Sequence, residues 1–304
     1  MARIVDVEGA SADLRMFLED YASAVRDFGE SVPQSWADDK PAGLRKGDEF
    51  CIGLEAGNIL RGILWYSYSG GRGNAFVCWR KEEVDREGLL QLITEYCRRS
   101  PAEMKLRING VHPNIDFELM SAVCEAAGFK TKKRFEMITA LDRRVGRMKL
   151  AGDYETVPIT KCDESALSML DWLGYEGTPD QFLFFENREE NRKLIRSLLE
   201  GDYGPVLNDA SLAIVRDEGP AAMIAVTDMG DMAFLADIVV SKELRGRGIG
   251  RYLLVRAMKA CIRLKKRSML LWVSDWNTNA MALYKSLGFR PSRTGIYYFR
   301  ESSG

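Results

Sequence analysis

The chain has 304 residues, 46% of them hydrophobic and 29% charged. That is the make-up of a folded protein with a proper core, at a length where one core tends to give way to two. Its 43 Lys and Arg balance 44 Asp and Glu, so the basic excess that nucleic-acid binding leaves is missing and no nucleic-acid partner is expected. No uncharged apolar run approaches the roughly 18 residues of a membrane span, and "MARIVDVEGASADLRMF" lacks the apolar core of a signal peptide, so a cytoplasmic protein with no membrane partner is expected. The six cysteines form no CxxC pair and His112 is the single histidine. A zinc site or a Ser-His-Asp triad therefore has almost nothing to be built from, and no metal is expected.

The first 150 residues read as mixed α/β. "RIVDVE" alternates as a strand does, and "ASADLRMFLEDYASAVRDFG" carries apolar residues at helical spacing. "EFCIGLE" and "NILRGILWYSYS" read as strands, "SGGRGN" as a turn and "AFVCWR" as a strand. The helix "REGLLQLITEYCRRS", the strand "EMKLRING" and the short helix "DFELMSAVCEAAGF" follow. "RVGRMKLAGD", residues 144–153, is polar and glycine-punctuated, as a linker is.

The pattern then restarts. "YETVPI" is a strand, "DESALSMLDWLGYEG" and "NREENRKLIRSLLEG" are helices, and "SLAIVRD" and "AAMIAVTD" are strands joined by a turn at Glu218, Gly219 and Pro220. "MAFLADIVV" is a further strand. After the loop "SKELRGRGIG" comes a helix with Leu253, Leu254, Ala257, Met258, Cys261 and Ile262 on one face. "SMLLWVSD" is a strand, "NTNAMALYKSLGF" a helix, and "GIYYFR" closes the chain. Both halves run in the same order and end their last helix at Gly-Phe, Gly128-Phe129 and Gly288-Phe289, so a duplicated domain is expected, 1–148 and 149–304.

Gly246, Gly248 and Gly250 let the backbone take positive φ between a strand and a helix, where amide N–H groups and the positive end of the helix dipole converge. That makes a cradle for a phosphate or pyrophosphate, to which Arg245 and Arg247 add charge-assisted donors. A glycine at a strand-to-helix turn can also be there for steric reasons alone. A P-loop needs Lys-Ser/Thr after the last glycine, where Arg251-Tyr252 stands, and a dinucleotide fingerprint fits neither in spacing nor in its acidic residue.

About 27 residues after Gly250, Asn277, Ala280, Leu283, Tyr284, Gly288 and Phe289 spell N-x-x-A-x-x-L-Y-x-x-x-G-F. With Arg245-Gly246-Arg247-Gly248-Ile249-Gly250, this resembles the GNAT superfamily of acetyl-CoA-dependent N-acetyltransferases, whose pyrophosphate loop reads R/Q-x-x-G-x-G/A. The resemblance is strong over residues 205–300 and fainter back to 154. It implies an α/β fold of two GNAT-like domains in tandem, each a twisted, largely antiparallel sheet flanked by helices. It also implies acetyl-CoA as co-substrate, with pyrophosphate on the amides from Arg247 to Arg251 and the pantetheine arm along Ile238, Val239 and Val240.

Three residues carry two readings each. Tyr284 lies on an apolar stripe and fits a core aromatic; at its motif position it is the family's general acid for the leaving thiolate. Asp237 is either an exposed residue on a half-solvated strand or, eight residues before Arg245, the base that takes a proton from the acceptor amine. Alternation puts it on the face opposite Ala236 and Ile238. Asn277 caps a helix and also matches the family asparagine that contacts the cofactor arm. Cys261, on a buried stripe, argues against a covalent cysteine intermediate and for direct transfer in a ternary complex, with the oxyanion held by the Val240 amide.

The first half departs from the pattern. "EVDREG", Glu83 to Gly88, replaces the glycine loop with carboxylates, and Cys124 and Phe117 stand where Tyr284 and Asn277 stand. The expectation is a degenerate first copy that does not bind CoA, with a structural or substrate-shaping role. The function expected is acetyl transfer to a small primary amine, and the family admits a homodimer; a non-catalytic acyl-CoA-binding regulatory protein is the alternative. In the acceptor region, Asp171, Glu176, Asp180, Glu186, Glu189 and Glu190 beside Trp172, Phe182, Phe184 and Phe185 suit a cationic amine, while solvated helix ends explain the same charges.

Overall fold

The computed structural model describes residues 2–9, 11–28, 32–69, 71–141, 145–146, 148, 154–178, 180–185, 187–216 and 219–302, without the side chains of Phe182 and Leu183. Most of the linker expected over 144–153 lies outside these residues, as do Gly70 and Glu218 of the expected turns. Contacts divide the chain into two compact units, 1–133 with 295–304, and 134–294.

In the first unit β1 (Arg3–Asp6), β2 (Glu49–Ala56), β3 (Ile59–Ser69) and β4 (Arg72–Trp79) pair antiparallel in sequence order. Strand β5 (Lys105–Asn109) joins β4 in parallel. Helices α1 (Ala12–Asp27), α2 (Trp36–Asp39) and α3 (Pro41–Lys46) precede β2, α4 (Arg86–Arg99) makes the β4–β5 crossover, and α5 (Phe117–Ala126) follows. The sheet ends on a strand from the far end of the chain, Tyr297–Arg300, which pairs antiparallel with β5.

The second unit repeats this plan. Strand β6 (Lys130–Ala140) belongs to it from Arg134 onward; then come β7 (Glu155–Pro158), α6 (Glu164–Tyr175), α7 (Gln181–Phe184) and α8 (Arg188–Glu200). Strands β8 (Leu212–Arg216), β9 (Gly219–Met229) and β10 (Met232–Val240) continue an antiparallel run from β7. Helix α9 (Ile249–Arg263) crosses to β11 (Ser268–Ser274), which lies parallel to β10, and β6 closes the sheet antiparallel to β11. Helix α10 (Thr278–Ser286) and β12 (Arg290–Arg300) end the chain.

Each sheet is therefore completed by a strand from the other end of the repeat. Hydropathy alternation does not reveal β6, because Lys130, Lys132, Lys133, Arg134 and Glu136 break it, nor the short helices α2, α3 and α7. The other expected elements form, with ends displaced by a few residues.

The second sheet is buried on both faces. Leu235, Ile224 and Leu271 pack with Leu253, Leu254 and Ala257 of α9 on one side. Met223, Ala225 and Val239 pack with Leu167, Leu170 and Ile195 of α6 and α8 on the other.

Gly174 fixes the approach of α6 to β10: a Cβ there would lie 2.1 Å from Val239 Cγ2. Gly174→Val is expected to overpack this contact and cost about 2 kcal/mol, lowering the thermal midpoint by several degrees. An unchanged unfolding curve contradicts the close approach.

Candidate functional site: a parted strand, a glycine loop and a buried carboxyl pair

The parallel pairing of β10 with β11 runs from Met232↔Ser268 to Leu235↔Leu271 and stops. From there β10 keeps only β9 as a neighbour, pairing Asp237↔Ala225, Ile238↔Ile224, Val239↔Met223 and Val240↔Ala222. The backbone groups of β10 that would have met β11 are left open to a ligand over this stretch.

The divergence coincides with a bulge, since the register shifts between Leu235 and Asp237. Strict alternation fails as a result. Asp237 opposes Ala225 and shares the α6 side with Ala236 and Val239, whereas Ile238 turns to the α9 side. The sequence expectation that Asp237 faces away from Ala236 is corrected by that one extra residue.

Past Val240 the chain reaches the glycine loop. Gly246 and Gly248 have φ of 76° and 77°, the left-handed region where a side chain is strained. Gly248 stands at the N-cap of α9 and brings no side chain to the helix start. By contrast α6, α8 and α10 are capped by Asp163, Asn187 and Asn277, whose oxygens accept from Ala166, Glu190 and Ala280 amides at 2.9, 2.9 and 3.2 Å. The first α9 amide with a backbone acceptor is that of Tyr252, bonded to the Gly248 carbonyl at 2.9 Å. Among the described residues, the amides from Gly246 to Arg251 donate to no backbone carbonyl. The local sequence thus leaves a row of N–H groups at the positive end of a helix.

The arginines divide their work. Arg245 donates from Nε to the Val240 carbonyl and from a terminal nitrogen to the Gly174 carbonyl, both at 3.0 Å, so it ties the loop to β10 and α6. Arg247 is exposed. Arg251 donates to Ser286 Oγ at 2.6 Å, linking α9 to α10.

Asp237 is half-buried at the point where the strands part. Tyr175 donates its hydroxyl proton to Asp237 Oδ1 at 3.0 Å, and Oδ2 is shut off from solvent. Beside it on α6 lies Asp171, whose residue is 1% exposed. Asn191 of α8 donates to Asp171 Oδ2 at 2.5 Å and accepts from Ser168 Oγ at 2.7 Å.

Asp171 Oδ1 and Asp237 Oδ2 have no hydrogen-bond partner among the described residues, and the two carboxyls are electrostatic neighbours. Two neighbouring buried carboxyls resist carrying a charge each. Burial raises the pKa of both above the ordinary carboxylate value, and for Asp171 the charge of Asp237 adds to it. Of the two, Asp171 is pushed up further, so it is the one that holds a proton more tightly. Sequence reasoning placed Asp171 on an acidic rim and did not see this pairing; the signal was Asp171 and Tyr175 at i, i+4 on one helix face.

The pair borders a cavity of about 180 Å³. Phe184, Leu194 and Phe234 give it apolar walls, with Arg134 of β6 and Trp272 of β11 among the rest. The aromatic part of the expected acceptor rim is therefore present, but its carboxylates separate. Asp180 is buried, accepting from Ser274 Oγ and from Trp276 Nε1, the latter at 3.2 Å. Glu176 and Glu189 are exposed, and Glu189 pairs with Lys193 within α8 at 4.0 Å. Glu186 and the Phe182 side chain lie outside the described residues.

Tyr284 is 6% exposed, packs on Phe289 with ring centres 5.8 Å apart, and belongs to the α9-side core. Burial first, and the charge of Asp237 second, push its pKa up, while Arg134 pulls it down. Its phenol thus stays protonated at neutral pH and lies within electrostatic range of both charges. Ala280 packs on the same core. The Cys261 thiol is fully buried, which pushes its pKa up to about 12, the character of an inert thiol.

The first unit differs at the equivalent points. Asp85 caps α4 and accepts from the Glu87 amide at 3.1 Å, so a carboxylate of the chain sits where α9 offers bare amides. The Phe129 amide bonds the Cys124 carbonyl as the Phe289 amide bonds that of Tyr284, so Cys124 does stand at the tyrosine's place. The cap of α5 is Asp116, one residue before the Phe117 that counting aligns with Asn277.

Residues 170–289 match the acetyltransferase (GNAT) family. The second unit carries a GNAT-family domain. Over its whole length the chain has the fold of tandem GNAT proteins. The tandem GNAT protein from the clavulanic acid biosynthesis pathway superposes with a TM-score of 0.53 at 16% identity, covering 100% of this chain and 99% of that one. The GCN5-related N-acetyltransferase of Sphaerobacter thermophilus gives a TM-score of 0.61 at 16% identity, over 98% and 95% of the two chains.

In sequence, the thialysine N-epsilon-acetyltransferase of Bos taurus is 39% identical over 59 residues, 19% of this chain and 35% of the relative. That of Sus scrofa is 38% identical over 61 residues, 20% of this chain and 36% of the relative. The chain therefore spans about a third of the length of the curated relatives it matches.

The proton in the carboxyl pair has a measurable sign. An acid whose folded pKa is raised binds its proton in the folded state after the unfolded state has released it, so stability falls as pH rises above the unfolded value near 4. Asp171→Asn keeps a donor toward Asp237 and an acceptor for Asn191 without that penalty. It is expected to melt higher than the wild type at pH 8 and to lose the advantage at pH 4 and below. A variant that melts lower at pH 8 contradicts the raised pKa.

Proposed function

We propose that the second unit is an N-acetyltransferase that moves an acetyl group from acetyl-CoA to the primary amine of a small acceptor by direct transfer in a ternary complex. The observation that carries this reading is the segment 237–251, which joins the Asp237 carboxyl to a row of unbonded amides along a strand parted from its neighbour.

The residues fit the coenzyme. The amides from Arg247 to Arg251 are suited to a diphosphate, and the open backbone of Ile238, Val239 and Val240 to a pantetheine arm, with Asn277 and Ala280 at the start of α10 nearby in the motif. Bound there, acetyl-CoA supplies an activated acyl group as a thioester. Asp237 takes a proton from the acceptor ammonium, directly or through water, which frees the nitrogen lone pair to form the new N–C bond. Tyr284 gives its proton to the sulfur as the C–S bond breaks, and the second proton of the attacking nitrogen leaves to solvent, from which Tyr284 is reprotonated. The buried Cys261 has no part in this scheme.

The first domain, 1–148, is the degenerate copy in this reading. Its α4 amides are turned to Asp85, and Cys124 replaces the phenol.

Release of free CoA from acetyl-CoA over a panel of primary amines tests the reading; a protein that binds acetyl-CoA but turns over none of them is instead the acyl-CoA-binding regulator. Tyr284→Phe is expected to lower kcat about a hundredfold with acetyl-CoA affinity nearly intact. Gly248→Glu sets a charged side chain on a left-handed backbone in the cradle and is expected to abolish acetyl-CoA binding, read by calorimetry. Normal turnover by Tyr284→Phe removes the acid role and leaves the tyrosine as packing.

A further inference from the structure

The cavity that ends on the carboxyl pair also holds a cation that the transfer chemistry does not use. Arg134 lines it from β6. One terminal nitrogen donates to the Trp272 carbonyl at 3.3 Å, and the guanidinium lies over the Phe184 ring, 4.8 Å from its centre. Its Nε is sealed from solvent and has no acceptor among the described residues. A buried guanidinium N–H without an acceptor is costly, and a cation beside a small, partly apolar cavity favours an anionic group entering it.

The neighbouring acids do not supply the acceptor. Asp237 accepts from Tyr175, Asp171 from Asn191, and Asp180 from Ser274 and Trp276. One small cavity thus carries the two carboxyls, a guanidinium with an unfilled donor, and apolar wall from Phe184, Leu194 and Phe234. At about 180 Å³ it falls below the roughly 300 Å³ of the smallest drug-sized pockets.

We propose that the acceptor is a small amino acid in the chemical sense, a zwitterion whose ammonium meets the Asp171–Asp237 pair and whose carboxylate meets Arg134, with a short apolar segment between. This rests on the acetyltransferase reading and narrows its substrate class. It also amends the expectation of a simple cationic amine, because the acidic groups near the cavity are answered by a positive one. Arg134 is then a specificity residue, supplied by the strand that leads from the first half of the chain into the second sheet.

Matched pairs test this, each an amino acid and its decarboxylated twin: leucine and 3-methylbutylamine, phenylalanine and phenethylamine, 4-aminobutanoate and propylamine. CoA release gives kcat/KM, and calorimetry in the presence of CoA gives acceptor affinity without turnover. In at least one pair the zwitterion is expected to exceed its twin about tenfold or more in both readouts.

Arg134→Met is expected to erase that preference in both readouts while leaving acetyl-CoA affinity unchanged, and Arg134→Lys to restore part of it. Twins that equal or beat the amino acids in every pair overturn the proposal, as does a preference that survives Arg134→Met. If acetyl-CoA itself fails to bind, the acetyltransferase reading fails, and calorimetry of the pairs on the protein alone still decides the zwitterion site. Should Arg134→Met not fold, Arg134→Lys decides: a full preference with the shorter, non-planar cation argues against guanidinium recognition of the carboxylate.

Discussion

Everything distinctive about the second unit follows from β10 having one neighbour too few. A strand inside a sheet satisfies its backbone on both sides, and β10 does so as far as Leu235. Beyond it, β9 still pairs but β11 has moved away. The exposed polar edge is held in place from elsewhere: Arg245 binds the Val240 and Gly174 carbonyls, and Val239 is wedged against the close face of α6 at Gly174. A rigid, half-paired strand end is a receptor for a ligand with an amide backbone of its own, as in strand addition by peptides.

The bulge at the point of parting explains why a charge can be buried beside it. One extra residue turns Asp237 toward α6, where Tyr175 and Asp171 are waiting, instead of toward the aliphatic layer under α9. Burial would neutralise a lone carboxylate. A neighbour whose own pKa is pushed up further, together with the Tyr175 hydroxyl, eases the cost of a negative charge on Asp237. The same low-dielectric surroundings keep Tyr284 protonated, so the acid and the base are set apart in affinity for protons by their environment and not by their chemistry alone.

How much of this the sequence discloses depends on whether the determinant is local. The glycine loop is local: positive φ at Gly246 and Gly248, and the missing cap on α9, are consequences of residue type at those positions. The alternation of β8, β9 and β10 and the apolar stripe of α9 are equally local, and they place the fold. The carboxyl pair is not local, because Asp171 and Asp237 lie far apart in the chain and meet only when α6 packs on a bulged strand. Arg134 is the least legible. Its strand hides behind a run of lysines, and nothing within the run says that the strand will close the second sheet beside β11. The loop in the first half shows the converse: its loss of glycines was visible as Glu83, Asp85 and Glu87, and Asp85 occupies the helix start that those glycines would have left open.

The most direct test of the central claim is amide hydrogen exchange, followed by mass spectrometry, with and without acetyl-CoA. Diphosphate on the α9 amides and a pantetheine arm along β10 require exchange to slow in peptides covering 236–240 and 245–252, with no change over 83–90. Unaltered exchange in the glycine loop at saturating coenzyme, or protection centred on 83–90, contradicts the account.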